Sequence, residues 1–259
     1  MRHPRLKAPP DHPAAYYHCI SRVVNRDFVL GDEEREKFVK LMRRWERFCQ
    51  VRVVAYCVMS NHFHLLVEVM PKPATSPTDE ELLAHLGGTY GAGVIKELRD
   101  LMELMRSSGS AADLAALRES FLRRMWDISA FMKALKQQFT QWFNGRHARK
   151  GTLWEERFKS VLVEGAGEAL ATMAAYIDLN PVRAGLCDDP KDYRWCGYAA
   201  AVAGHKGARG GLGTVIEALN RPGENVRRVL AEYRVQLFGR GEQTGSDDPE
   251  RGEIGRAHV

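Results

Sequence analysis

Residues 51–69 constrain this chain most. Val51-Arg52-Val53-Val54-Ala55-Tyr56-Cys57-Val58-Met59 and His62-Phe63-His64-Leu65-Leu66-Val67-Glu68-Val69 are two runs rich in strand formers, separated only by Ser60-Asn61. Two such runs joined by a short polar link predict an antiparallel hairpin. Side chains alternate faces along a strand, so His62 and His64 point one way and Phe63 the other. The hairpin therefore delivers two imidazoles to one side of a sheet. Imidazole nitrogen ligates many divalent ions, which makes the pair a candidate metal site. Histidines in strands also serve structure alone, each ring bonded to sheet neighbours, so this stretch does not decide by itself.

The remaining periodicities place the hairpin in a larger α+β fold. Tyr16 to Arg22 is rich in strand formers. Asp32 is placed to cap a helix running to about Cys49, with Phe38, Leu41, Met42 and Trp45 on one face. Pro71 to Pro77 is a breaker-rich loop. Residues 79–127 read as a helical insertion, its Val94, Leu98, Leu101, Met102 and Met105 spaced as a packing stripe. Ile128 to Asn144 predicts a helix, Phe158 to Val163 a short strand, and Glu168 to Leu179 a helix stopped by Pro181. This order gives helices packed on an antiparallel sheet. Gly213 to Leu219 and Gly223 to Leu237 suggest two more helices, a C-terminal extension over 199–238. From Gly239 onward there is no aromatic residue, and 239–259 read as a disordered tail. The Pro-rich, basic residues 1–13 read as flexible.

Composition narrows the partner class. The net charge is +5 and the isoelectric point about 9.0, which permits a polyanionic partner without demanding one. Cys19, Cys49, Cys57, Cys187 and Cys196 are odd in number and form no Cys-x-x-Cys pair, so a disulfide framework or a four-thiolate zinc site is not expected. Reduced thiols, no bilayer-length apolar run and a basic start without an apolar segment predict a cytoplasmic protein, with no membrane partner.

A second chemical cluster lies far downstream. In Tyr176-Ile177-Asp178-Leu179-Asn180-Pro181, Tyr176 and Asn180 are four residues apart and share a helix face. A tyrosine hydroxyl is a competent nucleophile once its target is activated. An asparagine amide oxygen suits Mg²⁺ or Mn²⁺. Asp178 falls on a different face and is expected at the surface or in a salt bridge. The plainer reading is a half-buried core tyrosine and a helix stop. Between the clusters, residues 131–160 hold seven cations, Lys133, Lys136, Arg146, Arg149, Lys150, Arg157 and Lys159, against Glu155 and Glu156. Trp142, Phe143, Trp154 and Phe158 interleave with them. Cations for phosphates and rings for unpaired bases are what single-stranded nucleic acid binding uses. A solvated helix face followed by a basic loop would look the same.

Four blocks occur in a telling order: Tyr17-His18-Cys19-Ile20-Ser21-Arg22, Val58-Met59-Ser60-Asn61-His62-Phe63-His64-Leu65-Leu66, Gly151-Thr152-Leu153-Trp154-Glu155-Glu156-Arg157-Phe158-Lys159-Ser160, and Tyr176-Ile177-Asp178-Leu179-Asn180-Pro181-Val182-Arg183-Ala184-Gly185. Over residues 14–198 the chain resembles the REP-associated tyrosine transposases, single-tyrosine members of the HUH endonuclease superfamily. The resemblance implies a ferredoxin-like catalytic domain over 14–198. It implies metal-dependent cleavage and rejoining of single-stranded or hairpin DNA through a 5′-phosphotyrosine intermediate. It also implies work close to the nucleoid, by a monomer or a homodimer. On this chain His62, His64 and Asn180 would hold Mg²⁺ or Mn²⁺, and Tyr176 would be the nucleophile. Lys133, Lys136, Arg146, Arg149, Lys150, Trp154, Arg157, Lys159 and Arg183 would contact DNA. The insertion is longer than in compact members. The alternatives are a domesticated, non-catalytic protein that binds repeat hairpins, and a nuclease that hydrolyses with water.

Overall fold

The expected hairpin forms, and a third strand joins it to make the middle of a sheet. The computed structural model describes residues 7–9, 12–165, 168–219, 233–235 and 237. Strands β1 (Ala15–Arg22), β2 (Val51–Val58), β3 (His62–Val69) and β4 (Lys159–Val163) lie in the order β2-β3-β1-β4, every neighbouring pair antiparallel. Helix α1 (Asp32–Cys49) links β1 to β2, and α5 (Ile128–Arg146) precedes β4. This connectivity and strand order are ferredoxin-like, as expected. The β1–β3 register sets Ile20 opposite His64, Arg22 opposite His62 and His18 opposite Leu66.

The two faces of the sheet carry separate cores. Odd-numbered β3 residues Phe63, Leu65 and Val67 pack under α1 and α5. There the Phe38 and Phe63 ring centroids are 4.6 Å apart and those of Phe63 and Trp154 5.3 Å. Phe38, Phe63 and Phe139 are fully buried, each contributing roughly 1.5–3 kcal/mol by removal from water. The opposite face, with Leu66, Ala55 and Cys57, is covered by α6 (Glu168–Asp178), α8 (Gly197–Val202) and α9 (Lys206–Ala218). Helix α9 approaches β2 so closely that a Cβ on Gly211 would lie 2.5 Å from the Val54 carbonyl oxygen.

Several local expectations are corrected. Asp32 is the first residue of α1 and Gly31 stands at the cap; the Asp32 carboxylate accepts from Arg35 at 2.9 Å. The insertion consists of α2 (Asp79–Gly87), α3 (Ala92–Ser107) and α4 (Ala111–Leu122). Thr78 and Glu81 cap α2 reciprocally, and Arg106 and Arg118 both pair with Asp79. Met102 of the α3 stripe is buried, whereas Val94 and Leu101 are 49% and 40% exposed, so the stripe packs only in part. Helix α9 begins at Lys206, ahead of the expected Gly213, with His205 Nδ1 accepting from Ala208 N at 3.3 Å. Of the basic start, Lys7 pairs with Asp127 and Ala8 N donates to the Tyr17 hydroxyl. The 239–259 tail lies outside the described residues, as does most of the expected second C-terminal helix. All five cysteines are free.

Candidate active site

Strand alternation does what the spacing demands. His62 and His64 share the α6 face of β3, their ring centroids 5.1 Å apart and nearly perpendicular. Both are buried, at 3% and 1% exposure. A third imidazole joins them from β1. The His18 ring stacks on His64 with centroids 5.3 Å apart, and His18 Nε2 lies 3.0 Å from His64 Nδ1. Asn61 Oδ1 lies 2.6 Å from His62 Nδ1. Burial pushes His18 down to about 4. It pulls His64 well below the ordinary imidazole range, helped by His62, His18, Arg22 and Arg183. Neutral imidazoles keep a nitrogen lone pair, the form a metal requires.

The far cluster meets this one in the same chain. The half-buried Tyr176 on α6 sets its ring edge-on to His64 and His18, with centroids 5.9 and 6.0 Å away. The Arg183 guanidinium lies 4.9 Å from the Tyr176 ring centroid and donates to the Tyr176 carbonyl. Helix α6 ends at Asp178, and Asn180-Pro181 opens a further turn, α7 (Asn180–Arg183), with Pro181 near its start. Asn180 Nδ2 donates to the carbonyls of Tyr176 and Ile177 at 2.9 and 3.3 Å. Its amide nitrogen is thus tied to the helix end.

Asp178 is not where it was expected. It is buried at 3% exposure, accepting from Tyr198 N and from the Tyr233 hydroxyl. Burial pushes its carboxyl up to about 7 despite those two donors. Alternation around the helix sends it away from Tyr176 and into the packed face.

The basic stretch divides. Lys133, Lys150 and Arg157 are exposed. Lys136 donates to the Glu156 carbonyl, Arg146 pairs with Glu33, Lys159 pairs with Glu156, and Arg149 sits 5.7 Å from the Phe143 ring centroid. Trp154 is a correction. It is 6% exposed, its ring packs among Phe38, Phe63 and Phe139, and its Nε1 donates to the Lys136 carbonyl at 3.3 Å. A ring held inside the core has no face to offer a base.

A divalent cation fits the donor set in one respect and is incomplete in another. His64 Nε2 is buried without a hydrogen-bond partner among the described residues, as suits an atom that ligates a metal. Yet no group of three or more His, Cys, Asp or Glu side chains among the described residues is placed to hold a metal. A third protein ligand would have to be of another type, and the Asn180 amide oxygen is such a group. Sequence reasoning passed over His18. Its signal was its place in a strand, but only the strand order puts that strand beside β3.

Residues 12–82 match the family model described as transposase, IS200 like. The matched segment spans β1, α1, β2 and β3 and carries His18, Asn61, His62 and His64, while Tyr176 and Asn180 lie beyond it. Among solved structures, the chain is similar to a REP-associated tyrosine transposase bound to a REP hairpin. That match has 14% identity, covers 79% of this chain and 86% of the other, and has a TM-score of 0.48. It is also similar to a presumed transposase from Deinococcus radiodurans R1, at 17% identity over 69% of this chain and 96% of the other, with a TM-score of 0.33. No curated protein matches the chain. No helix among the described residues is long and apolar enough to cross a membrane.

Proposed function

We propose that the protein is a metal-dependent, HUH-type single-stranded DNA strand transferase that acts at hairpin or palindromic repeat DNA. The observation that carries this reading is the convergence, in one chain, of the Tyr176 ring with the imidazoles of His18 and His64, beside His62. The IS200-like segment supports it from the sequence side. His62, His64 and the Asn180 amide oxygen would hold Mg²⁺ or Mn²⁺. A bound ion of this kind polarises a phosphodiester and stabilises charge developing on its oxygens.

The chain's own groups do the rest. The Tyr176 hydroxyl attacks the phosphorus and loses its proton. The bond from phosphorus to the 3′ oxygen breaks, and that oxygen leaves as a 3′-hydroxyl after taking up a proton. The product is a 5′-phosphotyrosine, and a second 3′-hydroxyl reverses the step to join strands. Arg183, whose guanidinium lies 4.9 Å from the Tyr176 ring centroid, would steady the phenol and meet a phosphate oxygen. Lys133, Lys136, Arg146, Arg149, Lys150, Arg157 and Lys159 are the proposed contacts to the DNA backbone.

The test uses labelled hairpin DNA with a single-stranded flank, in Mn²⁺, resolved on a denaturing gel. The wild-type protein is expected to form a covalent adduct, and Tyr176→Phe to form none. An adduct in Tyr176→Phe removes the nucleophile. Cleavage that survives Tyr176→Phe points to hydrolysis by water. Tight binding without cleavage or adduct points to a hairpin-binding protein.

A further inference from the structure

We infer that Asn61 and His18 are positioning residues that hold His62 and His64 as the tautomers protonated on Nδ1, leaving both Nε2 lone pairs for a cation. This deepens the metal-dependent reading above and rests on it.

The case for His62 runs through the backbone. Asn61 is 4% exposed, and its Nδ2 donates to the Arg26 carbonyl at 3.0 Å. That bond fixes which end of the amide is which. Oδ1 is therefore the atom 2.6 Å from His62 Nδ1. An amide oxygen only accepts, so the ring carries its proton on Nδ1. The amide is not free to flip, because the loop that supplies the Arg26 carbonyl is bound to the same turn. Val23 N donates to the Asn61 carbonyl at 2.8 Å and Leu30 N to the Ser60 carbonyl at 2.9 Å. Asn25 and Arg26 hold consecutive left-handed conformations, with φ of 59° and 60°, which aim that carbonyl inward.

The case for His64 rests on the cost of the alternative. Its Nδ1 meets His18 Nε2, and its own Nε2 is buried without a partner among the described residues. A proton on Nε2 would bury an unsatisfied N–H, which proteins tolerate less well than an unsatisfied acceptor. A proton on Nδ1 instead donates to His18 and leaves a lone pair. Outer partners of this kind orient ligating histidines and raise their basicity.

The tautomers are read directly in full-length, metal-free protein with ¹⁵N-labelled histidine, by long-range ¹H–¹⁵N correlation. Both rings are expected to show protonated Nδ1 and bare Nε2. Asn61→Ala and His18→Leu are expected to lose that pattern at His62 and His64 respectively, and to weaken Mn²⁺ binding by about 10- to 100-fold in calorimetry. His18→Gln, which still accepts, is expected to restore both. The wild-type spectrum alone decides the assignment even where a variant fails to fold. Nε2-protonated rings overturn it, as do unchanged tautomers in Asn61→Ala and His18→Leu. Wild-type protein with the expected tautomers but no Mn²⁺ uptake sinks the metal-dependent reading and leaves the tautomer assignment standing.

Discussion

Trp154 shows how far a residue's neighbours override its type. Its position among cations suggested a stacking platform for bases. The fold instead lays it across Phe38, Phe63 and Phe139. Trp154→Ala should therefore cost about 3–5 kcal/mol of stability, as large-to-small core changes do, read as a lower urea midpoint. Hairpin affinity of the folded variant should stay at the wild-type value. An affinity loss without a stability loss would return the ring to the DNA surface. Tyr176 is the opposite case: a plain core reading was available, and its ring neighbours a guanidinium and two imidazoles.

Helix α6 is the element that brings the two chemical clusters together, and its inner face is set by Asp178. The carboxyl ties α6 to α8 through Tyr198 N and reaches the Tyr233 hydroxyl. Its folded value of about 7 lies above its unfolded value. The folded state thus keeps a proton that the unfolded chain has already lost. The resulting stability is complete below the unfolded value, at about pH 4, and is lost as pH rises through about 7. The whole effect is roughly 4 kcal/mol. Urea midpoints at pH 5 and pH 8 should show Asp178→Asn losing less stability over that interval than the wild type. Equal slopes would mean that the carboxyl ionises normally. Helix α9 supplies a second test, because Gly211 meets the carbonyl oxygens of Val54 and Val53 at 2.5 and 2.9 Å from an ideal Cβ. Those are backbone atoms and cannot swing aside. Gly211→Ala should cost about 1–3 kcal/mol, typical of overpacking, as a lower thermal midpoint. An unchanged midpoint would show that α9 can lift off β2 freely.

Across the whole molecule, the surplus of seven cations over two carboxylates in residues 131–160 equals the net charge of +5. Some of those cations are engaged by Glu33 and Glu156, while Lys133, Lys150 and Arg157 reach solvent. The logarithm of the hairpin binding constant should fall linearly with the logarithm of salt concentration. Replacing Lys133, Lys150 and Arg157 together with alanine should flatten that slope by about 0.7–0.9 for every phosphate no longer neutralised. An unaltered slope would place the DNA path elsewhere. The strands, helices α1, α5 and α6 and the opposed faces of Phe63 and the histidines were all legible in the sequence, because period-two and helical spacing are local properties. Asn61 read as a turn residue, and its bond to a loop 35 positions earlier was invisible. That two imidazoles share one face of a hairpin follows from local spacing, since strand geometry needs no other part of the chain. What stands opposite them is set by long-range packing. The order β2-β3-β1-β4 brings His18 alongside, and α6 packing on that face brings Tyr176 over it. Both depend on packing between segments far apart in the chain, which no local spacing encodes.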